Sequence, residues 1–152
     1  MTRPEVAETA HGWRALFTLH SHIEDRLERA LQLDHQLSLS EYSVLETLAL
    51  RAPQYVRMQT LASAVALSQS ATTRLVARLE RRDLLIRRLC QEDRRGINTE
   101  ITDAGQIALN GARPTHHRIL TRALTEAGRD ATLAPLVAAI RSTPNQPAPT
   151  GR

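Results

Sequence analysis

The sequence contains no lysine, a single cysteine (Cys90), and only one Trp, two Tyr and one Phe. One thiol excludes an internal disulfide framework. So few rings leave aliphatic side chains to build the core, which favours helices over an aromatic-rich β-sandwich. Nowhere is there a run of 18 or more apolar residues, the length that a membrane-crossing helix needs. The N-terminus does not resemble a signal peptide, and a cytoplasmic protein is expected.

Signatures of catalysis are missing too. There is no nucleophile elbow, no glycine loop for phosphate and no pair of carboxylates placed for acid–base work. No enzyme is expected. Six histidines, His11, His20, His22, His35, His116 and His117, raise the question of a metal. No His-x3-His or Cys-x2-Cys spacing accompanies them, and a structural zinc site needs about four convergent ligands. No metal and no cofactor are expected.

What is present is a 152-residue chain, 41% hydrophobic and 24% charged, with net charge +4 and a pI near 10.5. That is the size of one ordinary domain with a real apolar core. The balance fits a polyanion partner. All 20 basic residues are Arg. Codon bias in a GC-rich genome accounts for this, although Arg is also the better fork for phosphates and guanine edges.

Apolar periodicity predicts a long first helix over about 9–33, with Trp13, Leu16, Phe17, His20, Ile23, Leu27 and Leu31 on one broad face. Such length and breadth imply a partner helix. A second helix is predicted from Ser40 as N-cap, with Tyr42, Leu45, Leu48 and Ala49 inward and Ala52-Pro53 as its stop. "YVRM" is a scrap of strand. "MQTLASAVA" reads as a third helix, and "LSQSATTRLVARLERRD" as a fourth capped by Ser68. "LLIRRLC" and "INTEI", separated by "QEDRRG", form a hairpin. Thr102 caps a fifth helix carrying Ile107, Leu109, Ala112, His116, Leu120, Ala123 and Leu124, which Pro114 interrupts. "GRDATLAPLVAAIRS" is a sixth helix with Pro135 inside it, and the Pro-rich tail from residue 142 to 152 is expected to be disordered. Helix, short turn, helix and then hairpin is a winged helix-turn-helix order. The expected fold class is mainly α, with long N- and C-terminal helices and a small β-hairpin wing.

On the fourth helix, Thr72, Leu75, Val76 and Leu79 share one face. Gln69, Ser70, Thr73, Arg74, Ala77 and Arg81 share the other, with Arg78 and Arg82 continuing the cationic run. Gln can pair with adenine, Ser and Thr with base or phosphate, and Arg with guanine or phosphate. Small residues near Ser68 let a phosphate approach the positive helix end. Such a face suits the major groove; an ordinary solvated arginine face is the plainer alternative.

Taken together, "LSQSATTRLVARLERRDLLIRR", "EDRRGINTEITDAG" and "SEYSVLETLA" resemble the MarR family of bacterial transcription regulators, over roughly residues 10–125. The resemblance implies a DNA-binding lobe over about 36–101, dimerisation helices over about 9–34 and 103–141, and a homodimeric repressor on a pseudo-palindromic operator. It implies that Asp93 and Arg95 form the wing's Asp-x-Arg, with Arg95 in the minor groove and Asp93 holding its guanidinium. Arg94 would grip phosphate, and Gly96 would free the turn. The DNA contacts expected are thus Ser68, Gln69, Ser70, Thr73, Arg74, Arg78, Arg81, Asp93, Arg94 and Arg95. Three departures stand out: Asp83 where the family usually has Gly, Thr72 for an aliphatic residue, and a polar returning strand, Asn98-Thr99-Glu100.

The family's effectors are small aromatic or phenolic compounds, often acids. The resemblance therefore makes Trp13, Arg14, His20 and His116 the candidate effector residues, Arg14 pairing with an acid group. Alternatives are a metal- or thiol-responsive regulator of the same fold, the thiol being Cys90 beside Arg87 and Arg88, and a winged-helix module that binds protein.

Overall fold

The structure, a computed structural model, describes residues 2–89 and 96–144. Its elements run α1 (Arg3–His35), α2 (Leu39–Arg51), β1 (Val56–Arg57), α3 (Met58–Ala64), α4 (Gln69–Arg81), β2 (Leu85–Leu89), β3 (Ile97–Ile101), α5 (Asp103–Ala127) and α6 (Ala134–Ser142). The order matches the sequence reading, with differences at the ends of elements.

Helix α1 starts at Arg3 because nothing between there and residue 9 breaks a helix. Pro4 falls in the first turn, where its missing N–H is no loss. It ends on Gln36, whose φ of 55° is left-handed. Leu37 N then donates to Leu31 O at 3.3 Å, closing the turn as a glycine-ended helix would. Helix α2 is capped by Ser38, not by Ser40. Ser38 Oγ accepts from Glu41 N at 3.0 Å while Glu41 Oε2 accepts from Ser38 N at 2.9 Å. This reciprocal pair needs an acid or amide three residues on, and Ser40 has Ser43 there. Pro114 does not end α5, which continues to Ala127. Leu109, Ala112 and Thr115 are buried around it, and that packing offsets the lost hydrogen bond. Pro135 is not internal to α6, because the helix begins at Ala134 and takes the proline in its first turn.

The chain divides into two compact units. One comprises residues up to Arg26 with those from Ile119 onward, and the other is Leu27–Arg118. The second, the lobe, holds α2 to α4 and an antiparallel three-stranded sheet of order β1-β3-β2. In it Val56 pairs with Thr99, and Leu85 to Leu89 pair with Ile101 to Ile97. Its core gathers Leu31, Leu37, Tyr42, Val44, Leu45, Leu48, Val56, Leu61, Leu75, Val76, Leu79, Leu84, Leu85, Leu109 and Ala112. The polar returning strand is built into this core. Thr99 is fully buried, and its Oγ1 donates to Val56 O at 2.8 Å. A bond of that kind removes the cost of burying the hydroxyl.

The helical unit has a small core of Leu19, Leu124, Ala127 and Val137. In α1 the covered residues there are Ala15 and Leu19, whereas Trp13 and Phe17 are 67% and 65% exposed. The face read from periodicity therefore splits in two. Ile107, on the apolar stripe of α5, is exposed as well. No helix among the described residues is long and apolar enough to cross a membrane.

Candidate nucleic-acid interface

Helix α4 is positioned by its own N-terminus. Ser68 is extended at φ −64°, ψ 156°, and its Oγ accepts from Ala71 N at 3.2 Å. Thr72, Leu75, Val76 and Leu79 are buried as the spacing predicts. Thr72 Oγ1 donates to Ser68 O at 2.9 Å, so a hydroxyl fits where an aliphatic group is usual. Ser68, Gln69, Ser70, Thr73, Arg74, Arg78 and Arg81 are exposed along the remaining surface. Thr73 Oγ1 donates to Gln69 O at 2.9 Å, which leaves its oxygen able to accept. The helix is reached from α3 through Ala66 at φ 54°, with Leu67 N donating to Ala62 O at 3.1 Å.

The C-terminal end of α4 is locked to the sheet and to α5. Asp83 stands in the left-handed conformation at φ 57°, where the glycine usual in the family would meet no Cβ penalty. Its carbonyl accepts from Thr102 Oγ1 at 2.5 Å, and Thr102 Oγ1 accepts from Gly105 N at 3.0 Å. Gly105 is required here, since a Cβ would overlap the Leu84 carbonyl oxygen and lie 2.9 Å from Leu84 C. Strands β2 and β3 then carry the chain out and back. The wing-tip residues Asp93, Arg94 and Arg95, and Cys90, lie outside the described residues. At the base of the hairpin, Arg87 Nη2 is 2.5 Å from Glu80 Oε2 and Arg88 Nε is 3.7 Å from Glu100 Oε2. The Arg87 guanidinium holds the Glu80 carboxyl below its ordinary pKa.

Glu41 was missed as part of this surface. It is 6% exposed and lies 3.4 Å from both Arg78 Nε and Arg82 Nη1. These groups line an open cleft of about 580 Å³ with Arg81, Glu28, Gln32, Gln36 and Ser38. The Ser-x-x-Glu spacing identifies Glu41 as a capping residue, but no local spacing identifies its arginine partners.

Of the candidate effector residues, Trp13, Arg14 and His20 belong to the helical unit and His116 to the lobe. Among the described residues of the helical unit, no hydrogen bond or ring contact joins Trp13, Arg14 and His20. Arg14 lines an open cleft of about 250 Å³ with His11, Asp130 and Leu133. His20 is exposed, with Nδ1 3.4 Å from Glu24 Oε2. His116 is half-buried and stacks on Tyr42, ring centres 4.4 Å apart, with its Nδ1 unpartnered among the described residues. Burial lowers the His116 pKa. Burial, with Glu46 accepting from the Tyr42 hydroxyl at 3.1 Å, raises that of the tyrosine. His35 bonds Thr115 Oγ1 at 2.9 Å. Among the described residues, no three His, Cys, Asp or Glu side chains stand together to hold a metal ion.

A capped helix with a polar and cationic outer face, set after a short turn and followed by a hairpin, defines a winged helix-turn-helix protein. The MarR family model matches residues 37–97. The chain is 30% identical over 92 residues to the uncharacterized HTH-type transcriptional regulator YkoM of Bacillus subtilis, covering 60% of this chain and 58% of that protein. With the HTH-type transcriptional regulator MhqR of the same organism it is 30% identical over 103 residues, 68% of this chain and 66% of that one. It thus spans less than two thirds of each. The crystal structure of Sco3205, a MarR family transcriptional regulator from Streptomyces coelicolor in complex with DNA, superposes with a TM-score of 0.73 at 27% identity, covering 91% of this chain and 90% of that one. Over residues 37–97 the chain matches the MarR family, and along about nine tenths of its length it is similar in fold to a MarR family transcriptional regulator.

Proposed function

We propose that this protein is a homodimeric, sequence-specific regulator of transcription that binds double-stranded DNA and acts as a repressor released by a small aromatic or phenolic ligand. The observation that carries the reading is the outer face of α4. Gln69, Ser70, Thr73 and Arg74 present donors and acceptors at its N-terminal half, and Arg78 and Arg81 add cationic charge further on. A major groove accepts such a face, with bases read near the N-terminus and phosphates gripped beyond it. A relative crystallised with DNA supports the same partner. The wing would add Arg94 and Arg95 to the backbone and minor groove, with Asp93 aligning Arg95.

Dimerisation is supported by apolar surface. Val6, Trp13, Leu16, Phe17 and Ile140 of the helical unit are all exposed. Exposed rings and aliphatic chains are the kind of surface that a second copy would cover. The ligand reading rests on Arg14, whose guanidinium shares a cleft with the apolar Leu133 and suits the acid group of an aromatic carboxylate.

The test is titration of duplex DNA against the protein at several salt concentrations. Neutralising about six phosphates per dimer gives a log–log slope near −5. A flat response would defeat the DNA reading, and a monomer at micromolar concentration would defeat the dimer. Aromatic acids that bind without releasing operator would defeat the ligand role.

A further inference from the structure

Glu41 accounts for an arrangement that the capping of α2 does not require. A capping box works with Gln as well as Glu at this position. Here the residue is Glu, its carboxylate is buried, and both oxygens are used. Oε1 faces Arg78 Nε at 3.4 Å, while Oε2 faces Arg82 Nη1 at 3.4 Å and accepts from Ser38 N at 2.9 Å. Ser38 ties the carboxylate to its own helix, so it cannot follow the arginines outward. The arginine side chains remain 52% and 39% exposed. Each contact uses one nitrogen and leaves the rest of the guanidinium free to donate. Arg81, lining the same cleft, has no carboxylate within ion-pair distance among the described residues.

We propose that Glu41 is a specificity-determining residue for DNA, an internal substitute for phosphate that restrains Arg78 and Arg82. The proposal rests on the DNA-binding reading above. Sequence-independent affinity grows with the number of phosphates that free cations can neutralise, whereas specificity comes from base contacts in one register. A tethered arginine completes a phosphate contact that falls where it is held. It cannot swing to whichever phosphate a random duplex offers. Glu41 therefore weakens binding to random DNA more than binding to the operator.

The experiment measures full-length protein on a random duplex and on an operator found by site selection, across a salt series. Glu41→Gln keeps the capping acceptor and removes the charge. It is expected to bind random duplex several-fold tighter, with a log–log slope more negative by up to about 2 for each protomer on the DNA, near 0.9 per freed cation. The ratio of operator to random affinity falls. The gain disappears when Arg78→Gln and Arg82→Gln are also present. Unchanged or weaker random binding overturns the proposal, as does a gain that survives loss of both arginines. Ser38→Ala breaks the cap without altering charge and should leave the slope alone; an equal steepening there would assign the effect to the cap and overturn the proposal. Arg82→Gln leaves Glu41 intact and should change the random-duplex slope by well under about 0.9 for each protomer on the DNA, so a loss of about 0.9 per protomer also overturns it. If the wild-type protein binds no duplex, it is the DNA reading itself that has failed.

Discussion

The lobe and the helical unit solve the problem of burial differently. Among the described residues, the lobe encloses a cluster of fifteen buried apolar side chains, whereas the cluster of the helical unit has four. The helical unit also exposes Trp13 and Phe17, the chain's only Trp and its only Phe. Fully burying a side chain of that size contributes roughly 1.5–3 kcal/mol. The lobe thus has its stabilising burial within one chain. The helical unit leaves its largest rings uncovered, so a partner that covered them would stabilise it by mass action.

The sharpest way to break this contrast is Gly105→Ala. The added methyl meets Leu84 backbone, which cannot rotate aside. We expect a loss of about 3 kcal/mol or more, read from urea denaturation. A denaturation midpoint like that of the wild type would mean that the α5 start and the α4–β2 turn are not in close contact. Phe17→Glu tests the other side. It should leave helix content unchanged at high protein concentration and weaken self-association about 100-fold, followed by sedimentation over a dilution series. Unaltered association would remove this face from the interface.

Ser38→Ala removes one half of the capping box and should cost about 1 kcal/mol, since Glu41 then caps alone. No change in denaturation midpoint would show the box to be idle. The smallest effect expected is a pH dependence within the lobe. Burial beside Tyr42 lowers the His116 pKa below its unfolded value, with Glu46 opposing the shift and His117 adding to it. The unfolded chain then binds the proton more readily than the folded one. This group's contribution is complete above the unfolded value of about 6.5 and is lost as pH falls towards the depressed folded value. Comparing denaturation at pH 7 and pH 5 should show a smaller acid loss for His116→Phe than for the wild type. Equal losses would place the acid sensitivity elsewhere.

Much of this architecture is local and was legible in the residues. Ser68 as a cap, the buried stripe Thr72–Leu75–Val76–Leu79, the hairpin spacing and the left-handed Asp83 all follow from neighbours within about one helical turn. The α2 cap is legible as well, because Ser38 and Glu41 carry the capping spacing whereas Ser40 has Ser43 three places on. Trp13 and Phe17 share the predicted apolar face of α1 and are exposed in this chain. Periodicity reports that a face is apolar and does not report what covers it.

What the sequence determined by itself is therefore the set of helices, the hairpin and the chemistry of the face on α4, since backbone hydrogen bonding and side-chain spacing act over a few residues. Only the tertiary structure decided the rest. Glu41 meets Arg82 across 41 residues, Thr99 meets Val56 across 43, and Thr102 meets Asp83 across 19. Such pairs depend on how elements pack, and many arginines in this chain would have served a carboxylate equally well by charge alone. Packing chose among them because a buried carboxylate must be satisfied by the groups that reach it.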